Sequence, residues 1–164
     1  MNRCALIAAG ILAIISLGNW RPIPRLVWNG SASAAVGLYW LEPHRHVARG
    51  DLVLATLPVG ARTLAAERLY LPASVPVVKS VAAMSGDRIC GVGNDIIIGG
   101  RTAAKRLVAD RYGRPLPAWQ GCHLLLGNEV FLLMESIPDS FDGRYFGPIE
   151  MTRVVGRLVP IWTR

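Results

Sequence analysis

The hydrophobic pattern of the chain changes after its first twenty residues. The thirteen residues from Ala5 to Leu17 are uncharged and mostly apolar, and basic residues lie on both sides of them. A helix of that length spans about 20 Å, whereas the hydrocarbon layer of a membrane is about 30 Å thick, so nearly all of residues 1–20 are needed to cross it. The pattern predicts a membrane anchor or a secretory signal segment over residues 1–20.

Whether this segment stays attached depends on a cleavage site. Ala32-Ser33-Ala34 has the small side chains that signal removal requires. It lies about fifteen residues beyond the apolar core, however, which is far for an ordinary signal peptide. Pro22 and Pro24 come between the two. We therefore expect an uncleaved anchor, with a soluble form released by cleavage as the alternative.

Beyond Trp28 the apolar positions come in short runs bounded by glycine, proline or polar residues, which is the pattern of β-strands. Gly99-Gly100 is a turn signal, Ala61–Leu69 has a helical pattern, and the polar residues 101–120 indicate a loop. The sequence predicts a mainly β class with short strands and few helices. The predicted strands cover residues 51–55, 75–81, 95–100, 122–127 and 129–134.

The composition fits one domain, residues 21–164, behind the predicted anchor. Hydrophobic residues make up 52% of the 164 residues, charged residues make up 18%, and the formal net charge is +7. A basic protein can bind nucleic acid or anionic lipid headgroups. The basic residues are scattered and no ladder of aromatic residues accompanies them, so we expect no nucleic acid partner. A basic DNA-transfer factor stays an alternative.

The cysteines and histidines give no metal or redox motif. None of Cys4, Cys90 and Cys122 belongs to a Cys-x-x-Cys pair. Cys90 and Cys122 could pair in an oxidising compartment or remain buried thiols. The spacing of His44 and His46 matches no usual metal site, and a solvated turn explains these residues better. We expect no metal and no cofactor.

Lysine is a candidate catalytic base, because the chain has no Gly-x-Ser-x-Gly motif and no histidine that is an obvious partner for a serine. Of the two lysines, Lys105 lies beside Arg106 in a polar stretch, where it stays charged. Lys79 is the only charged residue between Arg68 and Asp87, and valines surround it. Burial there would lower the pKa of its amine from the usual value of about 10.4. A strand lysine that faces solvent is the alternative explanation.

A candidate nucleophile lies in the segment Asn29–Trp40, which reads NGSASAAVGLYW. Small side chains around a serine allow the backbone of a substrate to come close. A flexible polar linker after the anchor would have a similar composition. The segment by itself leaves both explanations open.

Together these segments resemble the type I signal peptidase superfamily, and most closely the conjugal-transfer pilin maturation peptidases of the TraF type. That family has Asn-x-Thr/Ser-x-Ser-x-Pro-x-Gly-Leu-Tyr after an apolar segment, which is similar to Asn29–Tyr39. Its Gly-Asp strand start is matched by Gly50-Asp51, and its Lys-x-Val-x-Ala-x-x-Gly-Asp motif by Lys79–Asp87. Its Ser-x-Asp-Ser-Arg-Tyr-x-Gly motif is matched by Ser140–Gly147. The likeness extends from the anchor to about Leu158.

The resemblance implies an antiparallel β fold of the signal-peptidase type and a set of site residues. Ser33 would be the nucleophile and Lys79 the general base that activates it. Ser31 would help to hold the oxyanion, together with the backbone N–H of Ser33. Asp142 and Arg144 would support the lysine.

Two positions depart from the family pattern. Ala35 stands where the family has proline, so the loop after the nucleophile lacks a rigid residue. Gly143 stands where the family has serine, so a hydroxyl that could bind Lys79 is missing there.

The function implied by the resemblance is serine endopeptidase cleavage of an exported precursor, most specifically a conjugative pilin, by hydrolysis or by peptidyl transfer that closes a ring. The same resemblance places the body in the periplasm, anchored in the inner membrane, whose lipid is a second partner. In that compartment we expect Cys90 and Cys122 to pair across an insert-like loop region at about residues 88–122. A general type I signal peptidase and a non-enzymatic β module of a conjugation or secretion apparatus are the alternatives.

Overall fold

The computed structural model describes residues 25–43 and 46–164, so the predicted anchor at residues 1–20 and His44 lie outside the described part. Within that part, no helix is long and apolar enough to cross a membrane. Two antiparallel sheets of seven and four strands form the framework of the described chain. The predicted mainly β class is therefore confirmed.

The larger sheet carries the residues of the candidate site. Its strands are β1 (Leu26–Asn29), β2 (Gly37–Pro43), β3 (Leu52–Ala55), β4 (Val77–Met84), β9 (Glu129–Leu132), β10 (Ile149–Glu150) and β11 (Val154–Thr163). They lie in the order β1-β2-β11-β3-β4-β9-β10, so β1 is an edge strand and β4 an inner one. In the β3–β4 ladder Lys79 lies opposite Val53.

Apolar side chains pack on both faces of this larger sheet, which explains why its strands form. One core cluster contains Tyr39, Leu54 and Val78, and another contains Val53 and Val81. Val53 and Leu54 are neighbours in β3, and successive side chains of a strand point to opposite faces. Lys79 therefore lies in a strand whose surroundings are apolar on both sides.

The smaller sheet consists of β5 (Arg88–Val92), β6 (Asp95–Ile98), β7 (Arg101–Lys105) and β8 (Gly121–Leu124), in the order β7-β6-β5-β8. The stretch expected as an insert-like loop region at 88–122 contains β5, β6, β7 and the start of β8, whereas residues 106–120 carry no strand. The expectation of a loop over 101–120 is wrong for β7, because Gly99 and Gly100 both adopt positive φ and form a two-residue hairpin turn. A shared cluster that includes Ile89, Ile96 and Phe131 packs the two sheets together.

Two short α-helices and one 3-10 turn (Met151–Arg153) complete the described fold. Helix α1 (Val59–Glu67) lies where the sequence predicts one, displaced by two residues towards the N-terminus. Helix α2 (Gly143–Phe146) is a single turn that the sequence does not predict. The side chain of Asp142 caps it by accepting a hydrogen bond from the Arg144 N–H.

The structure joins Cys90 and Cys122 by a disulfide. The two residues lie opposite each other in the β5–β8 ladder, and their Cα atoms are 4.0 Å apart. The bridge therefore connects neighbouring strands of the smaller sheet and not the two sheets.

Candidate active site

Ser33 and Lys79 come together although 46 residues separate them in the sequence. Ser33 lies half-buried in the loop of residues 30–36 that connects β1 to β2, whereas Lys79 is 3% exposed in β4. Lys79 Nζ donates a hydrogen bond of 2.9 Å to Ser33 Oγ. Both residues belong to the larger sheet: the loop with Ser33 connects its strands β1 and β2, and Lys79 lies in its inner strand β4. The folding of this sheet therefore brings the two residues together.

The environment of Lys79 favours the neutral amine more than water does. Burial lowers the pKa of Lys79 from 10.5 to about 8, Asp142 and Asp139 oppose this shift, and Arg144 adds to it. With a pKa of about 8, roughly a tenth of the amine is neutral at pH 7. A neutral amine at hydrogen-bonding distance from a hydroxyl can accept its proton.

Ser31 lies on the other side of the Ser33 hydroxyl. Its Oγ is 2.9 Å from Ser33 Oγ and accepts a hydrogen bond of 3.3 Å from the Ser33 backbone N–H. A hydroxyl and an N–H that lie next to a nucleophile are the two donors that an oxyanion needs. The sequence-predicted residues Ser31, Ser33 and Lys79 therefore form one cluster.

Asp142 and Arg144 form a buried ion pair behind this cluster. Arg144 Nε donates to Asp142 Oδ1 at 2.8 Å, and both side chains are essentially inaccessible to solvent. The guanidinium also donates to the backbone carbonyls of Met134, Ile137 and Pro138. The ion pair is thus satisfied by several hydrogen bonds, as a buried pair must be, and it fixes the segment that leads into Ser140.

Ser140 is a site residue that the sequence reasoning missed. Lys79 Nζ donates a second hydrogen bond, also of 2.9 Å, to Ser140 Oγ, and Ser140 is 3% exposed. The signal was present in the sequence, because Ser140 is the first residue of the motif that contains Asp142 and Arg144.

The same geometry explains why Gly143 does not deprive the lysine of a hydroxyl partner. A Cβ atom at Gly143 would lie 2.6 Å from the carbonyl oxygen of Leu132 and 2.8 Å from a ring carbon of Phe131. Real Cβ atoms do not come so close to a backbone oxygen. Position 143 therefore has no room for a side chain here, and Ser140 supplies the hydroxyl to Lys79 instead.

A pocket of about 380 Å³ opens beside Ser33. The side chains that line it are small or aliphatic for the most part, and Arg164 is its charged residue. The lining residues are Ala32–Val36, Met134, Ser136, Ile137 and Arg164. Among the described residues, no group of three or more His, Cys, Asp or Glu side chains is arranged to hold a metal ion.

Comparison with known proteins gives a consistent result. The family described as signal peptidase, peptidase S26, matches residues 1–163. Two plasmid transfer proteins TraF from Escherichia coli are similar to the chain: one is 34% identical over 82% of this chain and 81% of its own length, and the other 32% identical over 96% and 93%. The conjugal transfer protein TraF of Agrobacterium fabrum is 32% identical over 82% of this chain and 81% of its own.

A search of solved structures found signal peptidase I of Enterococcus faecalis, with a TM-score of 0.41 and 17% sequence identity. The match covers 70% of this chain and 98% of that one.

Proposed function

The chain belongs to the signal peptidase family, peptidase S26, and from this premise we propose that it is a serine endopeptidase in which Ser33 is the nucleophile and Lys79 its general base. The observation that carries the proposal is the 2.9 Å contact between Lys79 Nζ and Ser33 Oγ. The lowered pKa of Lys79 supports the same roles, because only a neutral amine can take the proton of the hydroxyl.

The first half of the proposed reaction forms an acyl-enzyme. Lys79 takes the proton from Ser33 Oγ as that oxygen attacks the carbonyl carbon of the scissile peptide bond. The resulting oxyanion accepts hydrogen bonds from the Ser33 N–H and the Ser31 hydroxyl. The ammonium of Lys79 then returns the proton to the leaving amine, and the C–N bond breaks. Ser140 holds the amine of Lys79 in place during both proton transfers.

The second half of the reaction releases the acyl group from Ser33. Lys79, neutral again, takes a proton from an incoming water molecule, and attack of its oxygen on the ester gives a linear product. An amine of the same substrate can attack instead, which joins two chain ends and gives a cyclic product that is lighter by one water. The two outcomes share every residue of the site and differ only in the second nucleophile.

The proposed substrate is an exported precursor protein, and more specifically a pilin precursor of a conjugation system. The relatives of this chain are plasmid or conjugal transfer proteins, which supports the second part of the proposal. The small side chains of Ala32, Ala34 and Ala35 leave room for the backbone of a substrate to come close to Ser33, which supports binding of an extended precursor segment there. A general type I signal peptidase would use the same two residues on many exported precursors.

The proposed location is the periplasmic face of the inner membrane. An apolar patch, consisting of Leu26, Trp28, Trp40, Ile161 and Trp162, supports it: each of these side chains is more than two-fifths exposed. The β1–β2–β11 register places Trp28, Leu38 and Trp162 side by side, and the Trp28 and Trp162 rings stack with centroids 6.2 Å apart. Tryptophan is enriched where proteins meet the membrane interface. The loop that carries Ser33 begins directly after Trp28-Asn29, so the nucleophile would lie near the lipid surface.

The experiment that tests the proposed function uses the purified full chain and a pilin precursor encoded with it. Mass spectrometry of the product distinguishes a linear cleaved chain from a cyclic chain that is lighter by one water. Ser33→Ala and Lys79→Ala are expected to abolish the reaction while the variants remain folded, and Lys79→Arg is expected to be inactive because arginine does not deprotonate. Lys105→Ala is the matched control, since Lys105 is exposed. Full activity of Ser33→Ala or Lys79→Ala would contradict the proposal.

A panel of unrelated exported precursors decides between the two substrate classes. Processing of the pilin precursor alone supports the conjugation-specific role, whereas processing of most of the panel indicates a general signal peptidase. No processing of any precursor, with folded protein, would favour the non-enzymatic β module.

A further inference from the structure

Asn29 is the last residue of β1 and is 5% exposed, although its side chain is polar. A buried amide must find hydrogen-bond partners, because an unpaired polar group in the interior is costly. Asn29 finds all of its partners in the backbone of the following loop, residues 30–36, which carries Ser33. The side chain of Asn29 alone therefore forms four hydrogen bonds with the backbone of the loop that carries Ser33.

The contacts of Asn29 reach both ends of this loop. Oδ1 accepts a hydrogen bond of 3.1 Å from the Ser31 N–H, and Nδ2 lies 3.0 Å from the Ser31 carbonyl oxygen. Nδ2 also lies 3.2 Å from the Ala34 oxygen and 3.0 Å from the Ala35 oxygen. Ser31 is thus held at its N–H and at its carbonyl, and the residues after Ser33 are held at their carbonyls.

Apart from Asn29, the loop backbone is held by the hydrogen bond from the Ser33 N–H to Ser31 Oγ and, at its end, by a hydrogen bond of 3.0 Å from the Arg164 N–H to the Val36 oxygen. Between its own residues, all of which the structure describes, the backbone makes one hydrogen bond to another backbone atom, from the Ala34 N–H to the Ser31 oxygen, at 3.4 Å. Ala35 lacks the restriction on φ that a proline at this position would impose. The Tyr39 hydroxyl donates to the same Ala35 oxygen at 2.6 Å and assists Asn29 from β2.

We propose that Asn29 is a positioning residue, whose amide holds Ser31 and Ser33 in the geometry that acyl transfer requires. The proposal rests on the proposed function, since it assigns Asn29 to the reaction at Ser33. Ser31 Oγ, the proposed oxyanion donor, lies 2.9 Å from Ser33 Oγ. A displacement of the Ser31 backbone would therefore move this donor relative to the nucleophile. Asn29 itself touches neither the substrate nor the reacting atoms.

The test compares Asn29→Ala and Asn29→Asp with the parent chain. Aspartate keeps the shape and the acceptor of asparagine but cannot donate to the three carbonyl oxygens. Because a displacement of about 1 Å at a reacting group can cost about a hundredfold in rate, we expect kcat to fall by about tenfold to a hundredfold in both variants. KM should change by less than about threefold, since Asn29 lies beneath the loop and not in the pocket. Asn94→Asp, in the exposed turn between β5 and β6, is the matched control and should behave like the parent.

Two further measurements separate positioning from a general loss of stability. The rate at which a small activated ester acylates Ser33 should fall by a factor similar to that of kcat, because this reaction needs the loop geometry but no extended substrate. The pH midpoint of kcat for Asn29→Ala should stay that of the parent, since Asn29 does not contact Lys79 and alanine adds no charge. Both measurements are made well below the melting temperature of each variant.

Three results would overturn the proposal: a kcat within about twofold of the parent, a loss of activity that disappears on cooling, or a displaced pH midpoint in Asn29→Ala. An inactive parent chain, or an active Ser33→Ala variant, would instead overturn the proposed function. The two failures are therefore distinguishable in one set of assays.

Discussion

Lys79 links the proposed catalysis to pH at the scale of single residues. Because burial lowers the pKa of its amine to about 8, protonation blocks the base below that pH. We expect kcat to rise about tenfold per pH unit below pH 8 and to level off above it. Single-turnover rates across this range, in which chemistry limits the rate, are the measurement. A flat profile would contradict a titrating lysine base.

The same buried amine should reduce the stability of the fold. The folded-state pKa lies below the unfolded value of 10.5, so the unfolded chain binds more protons between pH 8 and 10.5, and stability rises with pH through that window. Below pH 8 the shift corresponds to a cost on the order of 3 kcal/mol. Lys79→Met should therefore increase the free energy of unfolding at pH 7 by up to about this amount, and by much less near pH 10.5. Urea unfolding at both pH values tests this, and an equal gain at both would indicate a packing effect instead.

The sequence identifies some residues of the site better than others, and the reason is physical. Lys79 and Ser33 each draw attention by their neighbours, a lone charge among valines and a serine among small residues, but these local patterns also fit a solvent-facing lysine and a polar linker. Only the family resemblance connects the two residues. The motif around Asp142 and Arg144 contains Ser140, but its contact with Lys79 forms only because the chain returns to β4 after 61 residues, which the motif alone does not reveal. The lack of space at Gly143 depends on Phe131 and Leu132 of a different strand, and so it also appears only in three dimensions.

At the scale of elements, some strands could be predicted from the local sequence and others could not. β3, β4 and β6 could be predicted because their runs of valine, leucine and isoleucine favour extended structure and are buried on folding. β7 could not, since Arg101–Lys105 is mostly polar or small and becomes a strand only by pairing with β6. The turn at Gly99-Gly100 was the available signal for β7, because a two-residue hairpin turn implies a strand on each side.

The disulfide within the smaller sheet should stabilise the protein. Cys90 and Cys122 are 32 residues apart, and closing a loop of that size contributes roughly 3–4 kcal/mol in the chain-entropy model. The variant Cys90→Ala/Cys122→Ala should lose about this much free energy of unfolding in urea titrations. Trp119 Nε1 donates a hydrogen bond to the Gly143 oxygen, which holds the segment before Cys122 against α2 without the disulfide. We therefore expect the variant to keep its activity well below its melting temperature.

Thiol alkylation provides the independent check on this bridge. Denatured, unreduced protein should expose no reactive thiol at positions 90 and 122. Modification of both cysteines before reduction would contradict the disulfide.

The apolar patch predicts a substrate-dependent phenotype at the scale of the whole molecule. Trp40→Ser/Trp162→Ser should process a precursor embedded in vesicles of phosphatidylethanolamine and phosphatidylglycerol more slowly, because interfacial contact area is lost. Cleavage of a short soluble peptide should change little. Val92→Ser/Leu124→Ser removes comparably exposed apolar residues from the smaller sheet and is the matched control. Equal slowing of both substrates by the tryptophan variant would show that the patch serves folding and not the membrane.

The distribution of the site along the chain also determines when activity can begin. Ser31 and Ser33 are synthesised early, Lys79 follows, and Ser140 with the Asp142–Arg144 pair comes near the end. The β1–β2 hairpin is local, but the amine reaches Ser33 only after β11 has inserted between β2 and β3. Such distant pairings form late in folding because loop-closure entropy must be overcome first. In the proposed function, a chain whose C-terminal strands have not yet paired holds Ser33 without its base, so proteolytic activity would begin only when the sheet closes.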